Sequence, residues 1–188
     1  KLLHVNKLSK IVSLMYANNE TGIIQPVMDA TLLAHKYGAL MHCDAIQAVG
    51  KIPIDFSKLN VDFLSLSAHK IGGPQGVGAL ICRDRNIISG LVRGGGQESG
   101  LRAGTENVPG IIGYGVAAKT ALLQLENFNQ LCLLRNKIEK RLLNIDSSIA
   151  VFGQNMERLP NTSKFATPGL TSEIQVMAFD LDGVSISA

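Results

Sequence analysis

The sequence contains no tryptophan, and aromatic residues make up only 5% of its 188 residues. Its basic residues are spread along the whole chain, and the formal net charge is only +3. Proteins that bind nucleic acid usually carry a dense basic patch, often with aromatic side chains on which bases stack. The composition therefore argues against nucleic acid as a partner.

Long hydrophobic runs are also missing. Mean hydropathy is +0.18, but no uninterrupted apolar stretch approaches the roughly 18 residues that indicate a membrane span. Hydrophobic residues make up 46% of the chain and charged residues 18%, which excludes a disordered chain and is typical of a protein with a buried sheet. We therefore expect one domain or one and a half, with no membrane segment.

Cysteine is scarce, and its positions give no ligand pattern. Cys43, Cys82 and Cys132 lie far apart, and no CxxC pair is present. Neither a zinc site nor a disulfide framework is indicated, and a reducing compartment is expected. Because apolar surroundings raise the pKa of a thiol and make it inert, we expect all three cysteines to be structural. The histidines likewise show no metal-ligand spacing, so no metal site is expected.

Four short apolar runs predict β-strands at residues 11–17, 39–43, 61–67 and Gly78–Cys82. Between the first two runs, Pro26 suits the first turn of a helix that ends near Tyr37, where Gly38 fits the stop. Strands that alternate with helices predict an α/β fold with parallel pairing. The runs have apolar residues on both faces, as expected when helices cover both sides of a sheet.

The second half of the chain reads differently. Residues 90–104 form a glycine-rich linker, and Pro109 suits the first turn of a long amphipathic helix over about residues 107–144. A strand at residues 149–152 is expected to begin a second layer. Ser172 is expected to cap a helix over residues 173–181, and a further strand is expected at residues 184–187.

Polar side chains follow each of the first three predicted strands. They are Asn18 and Asn19 after the first, Asp44 and Gln47 after the second, and Ser67, His69 and Lys70 after the third. The carboxyl ends of parallel strands meet at one edge of a sheet, where open α/β sheets bind their ligands. We therefore expect these residues to belong to one site.

Their chemistry fits a site for pyridoxal phosphate. A lysine such as Lys70 forms a Schiff base with an aldehyde once desolvation lowers its pKa. A carboxylate such as Asp44 pairs with the pyridine nitrogen, which makes the ring an electron sink. Gln47 is suited to donate to the phenolate oxygen of the ring. Ser67 and His69 are suited to donate to the phosphate.

Each residue also has a simpler interpretation. Lys70 alone could be a solvated lysine, Asp44 could merely cap residues 45–49, and His69 could be a histidine satisfied within the core. The segment GGPQGVG after Lys70 is a weak phosphate-loop signal, since its lysine precedes the glycines instead of following them. Those glycines more simply allow a tight turn. Arg93 and Arg102 could be solvated loop charges or could face a partner.

Five segments resemble the NifS-like cysteine desulfurases of the class V aminotransferase family. They are NNETGIIQPV, HCDAIQAVGKIPID, SLSAHKIGGPQGVGAL, RGGGQESGLRAGTENVPGIIG and ERLPNTSKF. The resemblance implies a fold-type I pyridoxal phosphate transferase with a mixed, mostly parallel sheet and flanking helices. It assigns residues 1–120 to the later half of the large cofactor domain. Residues 121–188 become a connecting helix and the start of a small α+β C-terminal domain.

The resemblance also implies roles for individual residues. Lys70 becomes the Schiff-base lysine and, with its neighbour His69, the catalytic candidate. Asn19 corresponds to an asparagine near the ring and the substrate. Thr105 corresponds to a threonine that reaches the phosphate of the neighbouring subunit, which implies a homodimer. The implied reaction converts L-cysteine to L-alanine and leaves a persulfide on an enzyme cysteine, whose sulfur goes to iron–sulfur cluster scaffolds or other acceptors.

Parts of the family pattern are expected outside this sequence. The chain starts with Lys1 and not Met, so we interpret it as a fragment, with a cytoplasmic or mitochondrial location. The acceptor cysteine is expected just after Ala188 and the arginine for the substrate carboxylate beyond it. The fragment alone should therefore be inactive. Two alternatives stay open: a serine or alanine–glyoxylate type aminotransferase of the same family, and a non-catalytic remnant.

Overall fold

The principal sheet has four strands side by side in chain order. They are β1 (Ile11–Met15), β2 (Leu40–Asp44), β3 (Phe63–Ser67) and β4 (Gly78–Cys82). The first three strands are parallel, and β4 is antiparallel to β3. The computed structural model describes residues 10–187, so the expectations that concern residues 1–9 and Ala188 lie outside the described residues. The prediction of a mixed, mostly parallel sheet is confirmed.

Two helices connect the parallel strands. Helix α1 (Val27–Lys36) follows Pro26, and the chain turns at Gly38 with a φ of +70°. Helix α2 (Phe56–Leu59) is a single turn capped by Asp55, whose carboxylate accepts the N–H groups of Ser57 and Lys58. The strand–helix–strand order is the one expected for parallel pairing.

The core lies on one face of the sheet. Met41 and Cys43 of β2 are completely buried, and Leu64 of β3 is 2% exposed. Val27 of α1 packs in the same core cluster. Thr31 of α1 is also buried, and its hydroxyl donates to the Val27 carbonyl at 2.8 Å. The hydrogen bond satisfies the buried hydroxyl of Thr31, as a buried polar group requires. The apolar character of this face agrees with the sequence pattern.

The opposite face of the sheet is more polar than the sequence pattern indicated. The His42 ring is hydrogen-bonded at Nδ1 to Ser13 Oγ, at 2.7 Å, and at Nε2 to Ser65 Oγ, at 2.8 Å. Ile11 and Leu80 are more than half exposed. The expectation that both faces are apolar is therefore wrong, because strand alternation places Ser13, His42 and Ser65 on one face.

The glycine segment after β3 forms a tight turn. A 3₁₀ turn, Ala68–Ile71, ends at Gly72, whose φ is +81°, and Gly76 has a φ of +76°. These left-handed conformations favour glycine. The interpretation that the glycines serve the turn is confirmed.

The predicted long helix is broken twice. The structure has α3 (Val108–Leu123), α4 (Leu125–Asn129) and α5 (Leu131–Ile145) in its place. Asn127 and Asn129 lie near the second break, and asparagine disfavours helix interiors because its side chain competes for backbone groups. Between residues 10 and 187 no single helix is long and apolar enough to cross a membrane. Only the bent pair Val108–Leu123 and Leu125–Ile145, with 64° between them, reaches that length and composition together.

The start of α3 follows the sequence prediction. Asn107 caps it by accepting the N–H of Gly110 at 3.2 Å, and Pro109 lies in its first turn. The helix therefore begins within one residue of the expected position.

A small second sheet follows the helices. It pairs β5 (Ala150–Val151) with β6 (Phe165–Ala166) in antiparallel fashion. Helix α6 (Ser172–Leu181) then begins after Thr171, so Thr171 and not Ser172 occupies the cap position. The predicted division at residue 120 stays a prediction.

The strand predicted at residues 184–187 is wrong. This segment has no regular structure. The N–H of Val184 donates to the Phe179 carbonyl at 2.8 Å, and Gly183 has a φ of +73°. The backbone thus closes the end of α6 in the manner of a glycine C-cap, and the alternating sequence alone could not show this.

Candidate active site

The carboxyl ends of β1, β2 and β3 meet at one edge of the sheet. The register pairs Met15 with Asp44 and Asp44 with Ser65. The loops that carry Asn19, Gln47 and Lys70 leave from this edge. The expectation that the three strand ends share one edge is confirmed. The roles of the individual residues stay predictions.

Lys70 lies on the 3₁₀ turn that directly follows β3. Ala68 of this turn is completely buried, and its N–H donates to the Val77 carbonyl at 3.1 Å. The Gly73 N–H donates back to the Ala68 carbonyl at 2.9 Å. His69 and Lys70 are exposed. The first residue of the turn, Ala68, is thus held in the core, while Lys70 is exposed at the sheet edge where β3 ends.

Ser67 and His69 contact each other beside the lysine. The Ser67 hydroxyl and His69 Nδ1 are 2.8 Å apart. This hydrogen bond fixes the orientation of the imidazole ring relative to the end of β3. The two side chains predicted to hold the phosphate are therefore brought together before any ligand is considered.

Asp44 is half-buried at the end of β2. One carboxylate oxygen, Oδ1, accepts the N–H of Ile46 at 3.0 Å, which begins the run of turns after the strand. An ionised carboxylate has two oxygens and about four acceptor positions. The contact with the Ile46 N–H uses only one carboxylate oxygen of Asp44. Asp44 can therefore cap this turn and still pair with a pyridine nitrogen.

Gln47 has a partner that the sequence reasoning missed. Lys51 Nζ donates to Gln47 Oε1 at 3.1 Å. Burial lowers the pKa of Lys51, and the positive charge of Lys70 lowers it further. The two lysine side chains are therefore close enough for their charges to repel each other. Residues 46–51 form a run of turns and not a helix, so the i, i+4 spacing of Gln47 and Lys51 does not by itself predict this contact.

Asn19 lies in a loop that its neighbour Asn18 organises. Asn18 Oδ1 accepts the N–H groups of Glu20 and Thr21, at 3.0 and 2.9 Å. Asn19 itself is exposed. Asn18 therefore shapes the loop, and Asn19 is the asparagine left facing outward.

The same loop is tied to the segment before β6. Gly22 O accepts the Leu159 N–H at 2.8 Å, and Lys164 forms an ion pair with Glu20. No sequence pattern predicts this contact, because its two sides are far apart along the chain.

Thr105 lies between the glycine-rich linker and α3. It is exposed, as are Arg93 and Arg102. Glu98 and Ser99, within the linker, both have positive φ values, 49° and 57°. The predicted role of Thr105 toward a neighbouring subunit stays a prediction.

The three cysteines are free thiols. Burial, followed by the charge of Asp44, raises the pKa of Cys43 to about 12. Burial also raises the pKa of Cys82. Cys43 is also completely buried, and a thiol with so high a pKa is almost never a thiolate at neutral pH, which agrees with a structural role for this cysteine.

No group of three or more His, Cys, Asp or Glu side chains within residues 10–187 could hold a metal ion. His35 instead contacts a single carboxylate, with Nε2 at 2.8 Å from Asp62 Oδ2. The same oxygen accepts the N–H of Met41 at 2.7 Å. This pair therefore links α1 to β2 and β3 within the scaffold.

Comparison with known proteins gives a consistent result. The family described as Aminotransferase class-V matches residues 2–188. A cysteine desulfurase of Cereibacter sphaeroides is 48% identical over 178 residues, which cover 95% of this chain and 46% of that protein. The chain spans about half the length of the curated relatives it matches.

Solved structures give the same result. A NifS-like protein from Rickettsia africae superposes with a TM-score of 0.92 at 36% identity, covering 100% of this chain and 52% of that one. A structure described as SspA in complex with cysteine has a TM-score of 0.76 at 31% identity, covering 99% of this chain and 51% of that one.

Proposed function

Because the chain belongs to the class V aminotransferase family, we propose that it forms part of a pyridoxal phosphate enzyme that removes sulfur from L-cysteine. The observation that carries the proposal is the 48% identity, across 95% of the chain, to a protein named cysteine desulfurase. The similar structure with bound cysteine supports the substrate. A transaminating member of the family stays the alternative that the experiment must exclude.

The residues at the sheet edge fit pyridoxal phosphate in their chemistry. The site offers an exposed amine on Lys70, a carboxylate on Asp44 with an oxygen beyond its cap contact, and the joined Ser67–His69 pair. Gln47 adds an amide at the same edge. When bound, the cofactor supplies an electron sink that stabilises negative charge next to the substrate nitrogen.

The chain's own groups then have separate tasks. Lys70 Nζ would hold the cofactor at its aldehyde carbon, and the same amine would take the α-proton of the substrate. Asp44 keeps the pyridine nitrogen protonated, which needs a negative charge at that position. Ser67 and His69 would bind the phosphate, and Asn19 would lie near the ring and the substrate, as the resemblance implies. None of these tasks requires a metal ion from the protein.

The remaining steps concern groups outside residues 10–187. The C–S bond of L-cysteine breaks as a cysteine thiolate of the enzyme bonds to the sulfur. The substrate carbon keeps the electron pair of that bond, takes up a proton and leaves as L-alanine. The products are thus alanine and one persulfide, which an iron–sulfur scaffold or another acceptor would take. Thr105 is proposed to serve the phosphate of a second subunit in a homodimer.

The test uses the complete protein as its gene encodes it, purified with pyridoxal phosphate. We expect a visible absorption band from the lysine-bound cofactor and release of alanine from L-cysteine. Lys70→Ala should remove the band. Lys119→Ala, which changes an exposed lysine of α3, should leave it intact. Amino transfer to a keto acid without alanine release from cysteine would overturn the desulfurase assignment.

A further inference from the structure

Lys51 is a half-buried lysine at the end of the turns that follow β2. Its N–H donates to the Ala48 carbonyl at 3.1 Å, which holds its backbone. Its ammonium donates to Gln47 Oε1 at 3.1 Å. Burying a lysine costs free energy unless its charge has a partner. The amide oxygen of Gln47 is a partner for this ammonium, and it belongs to a candidate cofactor residue.

The contact decides which end of the Gln47 amide faces the site. An ammonium has three donors and no acceptor, so it can bond only to the amide oxygen. The NH₂ end of Gln47 is then directed away from Lys51. A phenolate oxygen accepts hydrogen bonds only, so it needs the NH₂ end and would be repelled by the carbonyl end.

The position of Lys51 places this contact beside the lysine turn. The charge of Lys70 acts on the Lys51 amine. A Cβ on Gly50 would lie 2.8 Å from Cγ2 of Ile71, so the end of the β2 turns packs directly on the residue after Lys70. Lys51 therefore lies next to the turn that carries Lys70.

We propose that Lys51 is a positioning residue: its ammonium holds the Gln47 amide with the NH₂ end toward the ring oxygen of pyridoxal phosphate. The proposal rests on the function proposed above. Lys51 does not touch the reacting atoms in this role and acts only through Gln47. In the sequence, nothing distinguishes Lys51 from a solvated lysine in a loop.

The test compares Lys51→Met, Lys51→Arg and Gln47→Ala in the complete protein. Its first readout is the dissociation constant for pyridoxal phosphate. We expect Lys51→Met to weaken binding of pyridoxal phosphate on the order of tenfold. Without Lys51, the Gln47 amide is no longer held in the orientation in which its NH₂ donates to the ring oxygen. Lys51→Arg, which keeps the charge and donors, should restore most of the affinity. The double variant Lys51→Met/Gln47→Ala should bind no more weakly than Gln47→Ala alone.

The second readout is the pH midpoint of the cofactor absorption band. Without a donor, the ring oxygen holds the proton shared with the Lys70 nitrogen more tightly. Lys51→Met and Gln47→Ala should therefore both move the midpoint to higher pH. A merely structural role for Lys51 would lower the melting temperature and leave this midpoint in place, and that result would overturn the proposal.

One further variant covers the case in which Lys51→Met does not fold. Gln47→Glu keeps an oxygen for Lys51 but replaces the NH₂ end by a second acceptor. We expect it to bind pyridoxal phosphate more weakly than Gln47→Ala does, and binding as tight as in the wild type would contradict the assigned orientation. If the wild-type protein lacks a Lys70-dependent band altogether, the proposed function fails first, and the two failures are thus distinguishable.

Discussion

Gly22 lies directly against Thr162: a Cβ on this glycine would stand 2.8 Å from the Thr162 Cβ. The carbonyl of Gly22 also accepts the Leu159 N–H at 2.8 Å. The loop that carries Asn19 is therefore closed from behind by the segment that leads to β6. This contact joins one of the site loops to the part of the chain assigned to the second domain.

We expect Gly22→Ala to be clearly more destabilising than Gly38→Ala. Both glycines have left-handed backbones, with φ of +72° and +70°. An alanine in that conformation lowers the unfolding free energy by about 1–2 kcal/mol in both variants. Gly38 has no atom within 4 Å of a new Cβ, whereas Gly22 would clash with Thr162. Overpacking adds about 1–3 kcal/mol. Denaturant unfolding of the two variants measures the difference, and equal losses would show that the Thr162 contact yields without cost.

A buried ion pair anchors the same segment to helix α5. Arg158 donates to Glu139 through both terminal nitrogens, at 2.8 and 2.9 Å, and Ser163 donates to the same carboxylate. The two charged side chains are only 3% and 5% exposed. Glu139→Gln should cost about 3–5 kcal/mol of unfolding free energy, because it leaves the arginine buried without a counter-charge. Glu126→Gln, at an exposed position of α4, should change stability by less than about 0.5 kcal/mol.

The Glu139 pair should also make stability depend on pH. Burial alone would raise the pKa of Glu139, but the hydrogen bonds from Arg158 and Ser163 and the charges of Arg158 and Arg135 lower it overall. A carboxylate with a lowered folded-state pKa stabilises the fold above its unfolded pKa, which is about 4.3 for glutamate. That stability is lost as the pH falls through the folded-state pKa. The difference in unfolding free energy between wild type and Glu139→Gln should therefore become smaller below about pH 4. A difference that grows on acidification would contradict this.

Cys43 should resist thiol reagents in the folded protein. With a pKa of about 12, only about one thiol in ten thousand is ionised at pH 8, and the thiolate is the reactive form. Its side chain is also fully buried. A colorimetric disulfide reagent should label Cys43 only after unfolding. Cys43→Ala should leave the number of thiols labelled in the native state unchanged, and a native count reduced by one would contradict the protected core position.

The sequence was sufficient for the positions of the four strands and for the shared edge. Buried runs such as residues 39–43 are strongly apolar, and polar residues directly after them are local signals. The break after Leu123 and the loss of the strand at residues 184–187 could not be predicted in the same way. They depend on which neighbour a backbone N–H reaches, as Val184 shows with Phe179. An alternating pattern carries no information about that choice.

The candidate site shows the same limit. Its residue types were visible because Asp44, Ser67 and Lys70 each lie at the end of a strand or just after it. Their partners were not visible, because Lys51 looks like an ordinary loop lysine and Thr162 is remote in sequence from Gly22. Family resemblance supplied the expected chemistry of single positions, and the structure supplied the contacts that hold them.

The Ser67–His69 contact gives a prediction that separates phosphate binding from ring binding. Ser67→Ala removes the hydroxyl that lies 2.8 Å from His69 Nδ1, so both predicted phosphate donors are disturbed. We expect affinity for pyridoxal phosphate to fall at least about tenfold, since hydrogen bonds to charged groups contribute about 1.5–3 kcal/mol. Affinity for pyridoxal, which lacks the phosphate, should change little.

The control for this experiment is two residues earlier on the same strand. Ser65 presents its hydroxyl to His42 in place of His69, at 2.8 Å, so Ser65→Ala removes an equivalent group without touching the lysine turn. It should leave the ratio of the two affinities as in the wild type, even where it lowers the melting temperature. If Ser67→Ala weakens both compounds equally, Ser67 acts on the turn as a whole and the phosphate role is excluded, because only a contact with the phosphate can distinguish the two ligands.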